Sequence, residues 1–412
     1  MKTYGCPNCD GTRSAAFHRI PGVPVNSCLL FADRAQALRV ESGDIDLAFC
    51  PDCSFIFNAA WKPERTVYSN LYEETQGFSP TFSTFHRQLA EDLIERYALT
   101  GKLIVEIGCG KGEFLSLLCS LGGNRGVGYD PSFIPERNKA GAADIIFKQE
   151  YFSEDSVQSP PDFICCKMTL EHIAETRRFV QAVRRVASLE RGTIVFFQIP
   201  DVRRILAEGA FWDVYYEHCS YFSPASLVHL FQSTGFRVLR ASSEFDDQYL
   251  TIEATPEANG AAPARGAASE EDLAASVASF ANAATRNIEH WSKVVGDVAA
   301  SGGRTVLWGS GSKAVAFLSA LGEAGRVIEY LVDINPHRWE RFVPGTGEQI
   351  VRPEFLSVYR PDLVIAMNPI YRQEITTDLK RVGCETSRLM ALGEAPRESV
   401  AAAAAPVAEL RA

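Results

Sequence analysis

Apolar residues along the chain follow two periods, and each period marks a different element. Short apolar runs that end in glycine read as buried parallel strands. Leu103–Ile107 runs into Gly108-Cys109-Gly110-Lys111-Gly112, and Thr305–Trp308 runs into Gly309-Ser310-Gly311-Ser312-Lys313. An apolar helix is expected after each turn, over residues 114–121 and 314–321. Further strands are expected at 126–129, 144–147, 162–166, 193–197, 328–332 and 361–367, with shorter strand-like pieces at 47–49 and 55–57. Strands alternating with helices predict an α/β protein with a doubly wound parallel sheet. Spacings of three and four put Phe85, Leu89, Leu93, Ile94 and Tyr97 on one helical face. The same spacing gives a longer stripe of Leu273, Val277, Phe280, Ala284, Ile288, Trp291 and Val295, which Gly302-Gly303 should end. Before that stripe, PEANGAAPARGAASEED (256–272) reads as a linker, with Ser269 and Asp272 as a weak helix start.

The cysteines change this picture at the N-terminus. Four of the eleven form two CxxC pairs, Cys6/Cys9 and Cys50/Cys53. Two such knuckles let four thiolates converge tetrahedrally on one zinc ion. Unliganded buried cysteines and a redox CxxC are the alternatives, and no thioredoxin-like strand and helix surround either pair. Four cysteine ligands close the coordination shell, so the expected zinc is structural. Cys28 is read as a small buried residue outside the set.

The first glycine turn carries the cofactor signal. Gly108, Gly110 and Gly112 allow close approach to the backbone, and the following helix offers N–H donors. Asp130 ends the next strand, where a carboxylate can grip ribose hydroxyls. Glu106 lies just before the turn. A carboxylate there repels a pyrophosphate and suits a cationic ligand, which favours S-adenosylmethionine over a dinucleotide or a purely structural turn. It can also order the loop through a second contact. The second turn, with Asp333 ending its next strand, looks like a dinucleotide fingerprint, but Trp308 precedes it and Lys313 offers a positive charge to phosphate.

Residues 211–223 read FWDVYYEHCSYFS, directly before a helix expected at 224–231. One reading is an aromatic core strand with a satisfied histidine. The other is an acid–base site, with His218 suited to proton abstraction and Tyr215 to donating to a developing oxyanion. Glu217 can then orient a neighbour or bind a hydroxyl. A second Glu-His pair, Glu171-His172, follows the strand expected at 162–166.

In combination these segments resemble the sugar C-methyltransferase family, which acts on nucleotide-linked deoxysugars. The resemblance covers nearly the whole chain. It rests on the CxxC…CxxC module, the ExGxGxG turn, the Tyr-x-Glu-His-x-x-Tyr-Phe-Ser signature from Tyr215 to Ser223, the GxGxK turn at Gly309, Gly311 and Lys313, and the D-x-N-P…V-P-G-T segment from Asp333 to Thr346. It implies a class I methyltransferase sheet flanked by a small N-terminal zinc module and a C-terminal Rossmann-like domain. The expected units are 1–60 (zinc module), 61–255 (methyltransferase), 256–300 (linker and long helix), 301–398 (C-terminal domain) and 399–412 (a low-complexity tail). Family members methylate carbon next to a ketone through an enolate. Carried over, this implies His218 as base, Tyr215 as acid or oxyanion donor, Glu217 as substrate contact, His172 as helper and Tyr72 as a further substrate contact, with Tyr68 four residues away. Gly309, Gly311 and Lys313 would help hold the nucleotide diphosphate. In two places the chain departs from the family: the YEETQGFSPTF stretch is not serine-rich, and Glu171 is a carboxylate where none is expected.

Composition sets limits on the rivals. With 46 % hydrophobic and 22 % charged residues the chain is ordinary for a globular protein, which excludes extensive disorder. The net charge of −10 argues against a zinc ribbon that coats nucleic acid. No apolar run reaches the roughly 18 residues of a membrane span. The start, MKTYGCPNCDG, has no apolar signal core, so a cytoplasmic protein is expected. An O- or N-methyltransferase and an NAD-dependent oxidoreductase using the second turn remain as alternatives.

Overall fold

A computed structural model describes residues 3–66, 68–69, 71–138, 144–257 and 270–394, with backbone alone at 270–272. Most of the linker expected at 256–272, the Ser269 signal and the tail at 399–412 lie outside the described residues.

The N-terminal segment forms β1 (Thr3–Tyr4), β2 (Ser14–Pro24), β3 (Ser42–Cys50) and β4 (Phe55–Asn58), antiparallel and in that order. The sequence pattern did not show β2, because Pro21, Gly22 and Pro24 argue against a strand. The structure accommodates them with register shifts between Ala16 and His18 and between Ile20 and Val23.

Next in the chain come β5 (Leu103–Ile107), β6 (Arg125–Tyr129), β7 (Ile145–Lys148), β8 (Phe163–Lys167), β9 (Ile194–Pro200), β10 (Ser220–Tyr221), β11 (Phe236–Glu244) and β12 (Tyr249–Pro256). All but β10 form a seven-stranded sheet of order β11-β12-β9-β8-β5-β6-β7. β5 to β9 run parallel, and β12 is antiparallel to both β9 and β11. β8 is buried throughout, as the apolar run from Phe163 to Cys166 requires of a strand inside a parallel sheet. The strand order reverses between β5 and β8, so a crevice opens at their carboxyl ends. β10 joins the first sheet instead, with Ser220 opposite Phe57 and Tyr221 opposite Ile56.

A third sheet contains β13 (Thr305–Trp308), β14 (Tyr330–Val332), β15 (Gln349–Val351), β16 (Leu363–Ala366) and β17 (Arg388–Ala391). It is wholly parallel, of order β15-β14-β13-β16-β17, with its own reversal between β13 and β16.

The helix Glu270–Ala300 joins these units. Its stripe is buried at Leu273, Val277, Phe280, Ala284, Trp291 and Val295, with Ile288 packed alongside. Each fully buried side chain of this kind contributes about 1.5–3 kcal/mol. The same core includes Ile45 and Leu47 of the first sheet, Ile205 and Phe211 of the central segment, and Val315 and Phe317 of the C-terminal one. Gly302 turns left-handed at φ 77°, and Gly303 N–H donates to Val298 O at 2.9 Å, closing the helix. Among the described residues no helix is long and apolar enough to cross a membrane.

Candidate active site

A cavity of about 620 Å³ lies between the carboxyl ends of the central sheet and those of the C-terminal sheet. The first glycine turn forms one wall. Gly108, Gly110 and Gly112 all have positive φ, at 70°, 53° and 78°. A Cβ at Gly108 would collide with Thr169, and one at Gly112 with the Phe147 ring, so both positions require glycine. Asp130 braces the turn by accepting from Gly110 N at 2.9 Å and from Ser132 N and Oγ at 2.7 Å each. Glu106 accepts from Leu115 N at 3.0 Å, so it orders the turn through the helix that follows. Burial raises its carboxyl, and the Lys167 ammonium draws it back down. The turn with its open helix end suits the amino-acid and ribose parts of S-adenosylmethionine.

Segment 72–74 closes over this wall. Lys111 Nζ donates to Tyr72 O at 2.9 Å, to Ser132 O at 3.1 Å and to Glu74 at 3.3 Å. Glu73 pairs with Arg137 at 2.6 Å and accepts from Asn335 of the C-terminal unit at 2.8 Å.

The two Glu-His segments meet through backbone. Cys219 N–H donates to Glu171 O at 2.9 Å, which sets the His172 and His218 rings 4.8 Å apart, centroid to centroid. Ser223 ends the signature by capping the helix Pro224–Ser233, accepting from Ser226 N at 3.2 Å. The Tyr215 and His218 rings lie 4.2 Å apart. Among the described residues, neither the His218 ring nor the Tyr215 hydroxyl has a hydrogen-bond partner, and both residues line the cavity. Burial first, then His172 and Lys313, holds the His218 pKa well below its ordinary value. His172 is lowered to about 4, chiefly by burial, and its Nδ1 lies 2.9 Å from Tyr68 Oη and 3.1 Å from Glu217 O. Both rings are therefore neutral at pH 7. Tyr68 is held more closely than its position four residues from Tyr72 suggested.

Glu217 does not face the cavity as a free contact. It accepts from Ser27 N at 2.8 Å, from the Ser27 hydroxyl, from Asn26 at 3.3 Å and from Tyr72. Glu171 shows the opposite arrangement. It is fully buried, neither carboxylate oxygen has a hydrogen-bond partner among the described residues, and burial raises it to about 8.

The second glycine turn forms the opposite wall. Lys313 is not a free cation: its Nζ lies 2.8 and 3.0 Å from the two oxygens of Asp213, which also meets Arg204 at 2.6 Å. Asp333 is occupied by Ser310 N and Oγ at 3.0 and 2.6 Å and by Asn335 N at 2.9 Å. Gly309 has φ 103°, and Gly311 caps the helix Ser312–Leu321, which points its N-terminus at the cavity. Arg338 is buried and donates to Ser310 O at 3.1 Å, whereas Arg372 pairs with Glu394 at the surface. Sequence reasoning missed Lys167 and His86, which also line the cavity. The signal for Lys167 was a lone charge at the end of an apolar strand.

On the first sheet, Cys6 Sγ and Cys53 Sγ are 3.7 Å apart, Cys9 Sγ and Cys50 Sγ 3.6 Å apart, and all four sulfurs lie within 4.8 Å of one another. Zinc–sulfur bonds of about 2.3 Å imply sulfur–sulfur edges of about 3.8 Å in a tetrahedron, so the four thiols fit a zinc ion. Cys28 lies elsewhere, 3.2 Å from Ser312 Oγ.

Residues 82–241 match a family model described as a methyltransferase domain, and residues 261–392 match one described as a C-methyltransferase C-terminal domain. The C-methyltransferase NovU of Streptomyces niveus is 27% identical over 355 residues, which span 82% of this chain and 83% of that protein. Among solved structures, magnesium protoporphyrin IX methyltransferase (ChlM) from Synechocystis PCC 6803 with bound SAH is similar over 45% of this chain and 90% of its own. The identity is 15% and the TM-score 0.35. A SAM dependent methyltransferase from Aquifex aeolicus is similar over 43% of this chain and 93% of its own, at 18% identity and a TM-score of 0.33.

Proposed function

The chain belongs to the C-methyltransferases and transfers a methyl group from S-adenosylmethionine to carbon, and on that premise we propose that its acceptor is the carbon next to a ketone in a nucleotide-linked keto-deoxysugar. The observation that carries this reading is the pair His218 and Tyr215. His218 is buried and Tyr215 half-buried, both are neutral, their rings are adjacent, and among the described residues neither the imidazole nor the phenol has a hydrogen-bond partner. A neutral imidazole beside a phenol is what enolate formation needs. His218 takes the α-proton, and the Tyr215 hydroxyl donates to the ketone oxygen as negative charge collects there. Holding that oxygen leaves carbon as the nucleophile. His172, neutral and held by Tyr68, places no charge against the imidazolium that forms. Glu217 keeps Tyr72 and Ser27 in position rather than binding substrate.

S-adenosylmethionine, held at Gly108, Gly110, Gly112, Glu106 and Asp130, supplies the electrophilic methyl group. On the opposite wall the Gly311 N–H and the helix end at Ser312 offer donors to a diphosphate, since the Gly309 and Ser310 N–H groups already donate to Val332 O and Asp333. Lys313, paired with Asp213, shapes the floor beside His218. Cys6, Cys9, Cys50 and Cys53 hold a structural zinc ion.

The test is a deuterium wash-in with a panel of nucleotide-linked 4-keto-6-deoxysugars in D2O, with and without cofactor, read by mass. Solvent deuterium at an α-carbon, or one added carbon-bound methyl, is expected. Cofactor binding with neither change across the panel would remove the keto-sugar assignment.

A further inference from the structure

Lys167 ends β8 next to β5, whose Ile107 pairs with Cys166, so its backbone stands level with the Gly108 turn. Its side chain runs between two helices. Nζ lies 2.6 Å from His86 Nε2 on Pro80–Tyr97 and 3.8 Å from the centroid of the Phe114 ring on Glu113–Gly122. Three lysine or arginine residues are buried among those described: Lys111, Lys167 and Arg338. Lys111 has Glu74 at 3.3 Å and Arg338 has Asp333 at 4.0 Å. Lys167 has no carboxylate within 4.0 Å among the described residues, although Glu106 and Glu113 lie further out and favour its charge. Burying a cation without a close anion is costly, and a site that tolerates this cost is prepared for an anion from outside. One ammonium N–H meets neutral His86 and one face meets a ring, which leaves donors for the cavity.

We propose that Lys167, positioned by His86 and Phe114, binds the α-carboxylate of the amino-acid tail of S-adenosylmethionine. The inference rests on cofactor binding at the first glycine turn. The cofactor tail is the anion that belongs beside Gly108. The diphosphate of a sugar nucleotide has its own donors on the wall of Gly311 and Ser312. Glu106 and Glu113, close to Lys167, suit the ammonium of the same tail.

Two ligands isolate the carboxylate. S-adenosylhomocysteine carries the amino-acid tail, and 5′-methylthioadenosine lacks it. Titration calorimetry on the full chain should show that Lys167→Met weakens S-adenosylhomocysteine at least about tenfold, as expected for a lost charge-assisted hydrogen bond. The binding of 5′-methylthioadenosine should stay within about twofold, which also reports an intact fold. Lys167→Arg should retain most of the affinity for S-adenosylhomocysteine. Equal weakening of both ligands, or of neither, would overturn the assignment. So would a variant that keeps both ligands but loses binding of a nucleoside diphosphate, which would give Lys167 to the substrate. Failure of the wild-type chain to bind either ligand would overturn the cofactor premise and the proposal with it.

Discussion

The hydroxyl of Ser27 lies 2.7 Å from that of Ser312, 285 residues further along the chain, and the same hydroxyl meets Glu217 of the Tyr-Glu-His signature. One small side chain of the N-terminal segment thus touches both of the other sheet-bearing segments at the edge of the cavity. Ser27→Ala removes both contacts but keeps the Ser27 N–H bond to Glu217. A stability loss of about 1–3 kcal/mol is expected in urea unfolding, because a buried carboxylate loses a donor. A loss of turnover with little change in cofactor binding should accompany it. Unchanged stability and rate would mean that the relay is incidental.

His218→Asn should lower turnover by about 10²- to 10⁴-fold, the usual range for a general base, while S-adenosylhomocysteine binds as in the wild type. Burial holds His218 below its ordinary value, so the acid limb of the wild-type rate should fall below pH 6.5. A variant that keeps most of its rate would transfer the base role to His172.

Tyr215→Phe separates proton removal from its stabilisation. With His218 intact and the donor gone, α-deuterium uptake should slow by about 10²-fold or more, as for loss of an oxyanion donor. Exchange at the wild-type rate would assign Tyr215 to packing.

Glu171 offers a pH test of stability. Its carboxyl is raised by burial to about 8 in the folded chain, against an ordinary value of about 4.3 when unfolded. Between these values the folded state holds a proton that the unfolded state has released. Stability is therefore fully present below about 4.3 and declines as pH rises towards 8. Glu171→Gln has no proton to lose. Its advantage over the wild type in urea unfolding should grow with pH across that window, by at most about 1.4 kcal/mol per unit. A difference that stays constant from pH 5 to 8 would show that Glu171 is ionised in place.

Elemental analysis should find one zinc per chain. Cys53→Ser, or chelation, should lower the unfolding midpoint and cost on the order of several kcal/mol, since metal binding energy is folding energy. Cys6, Cys50 and Cys53 share a packed cluster with Ile164 and Phe222, so the loss should spread into the central sheet. A metal-free protein of unchanged stability would leave the four thiols as ordinary core.

What the sequence revealed, and what it hid, follows from how local each signal is. The strands at Leu103–Ile107 and Thr305–Trp308 were readable because an apolar run, a glycine turn and an apolar helix are contiguous. The stripe from Leu273 to Val295 was readable because helical period is local. Missed were β2, with two prolines, the short β1, β15 and β17, and β11 and β12, of which β11 is half-exposed and largely polar. In the candidate site, the residue types of Tyr215, His218 and the four cysteines were enough to single out two clusters that the fold brings together. The partners of Glu217, Lys313 and Asp333 did not, because those contacts join segments far apart in the chain. A free lysine and a lysine paired with Asp213 look alike until the fold is known.

β10 is two residues long, and its partner β4 is made much earlier. During synthesis the N-terminal sheet leaves the ribosome with an open edge at Phe55–Asn58, and that edge stays open until most of the central sheet has followed it. An unpaired edge bearing Phe55, Ile56 and Phe57 is a template for the wrong partner. Fragments that stop before Ser220 should therefore aggregate, whatever the quality of their own core. The two residues that seal the edge follow His218 directly, so the chain becomes safe from misassociation and acquires its proposed base in the same stretch of elongation.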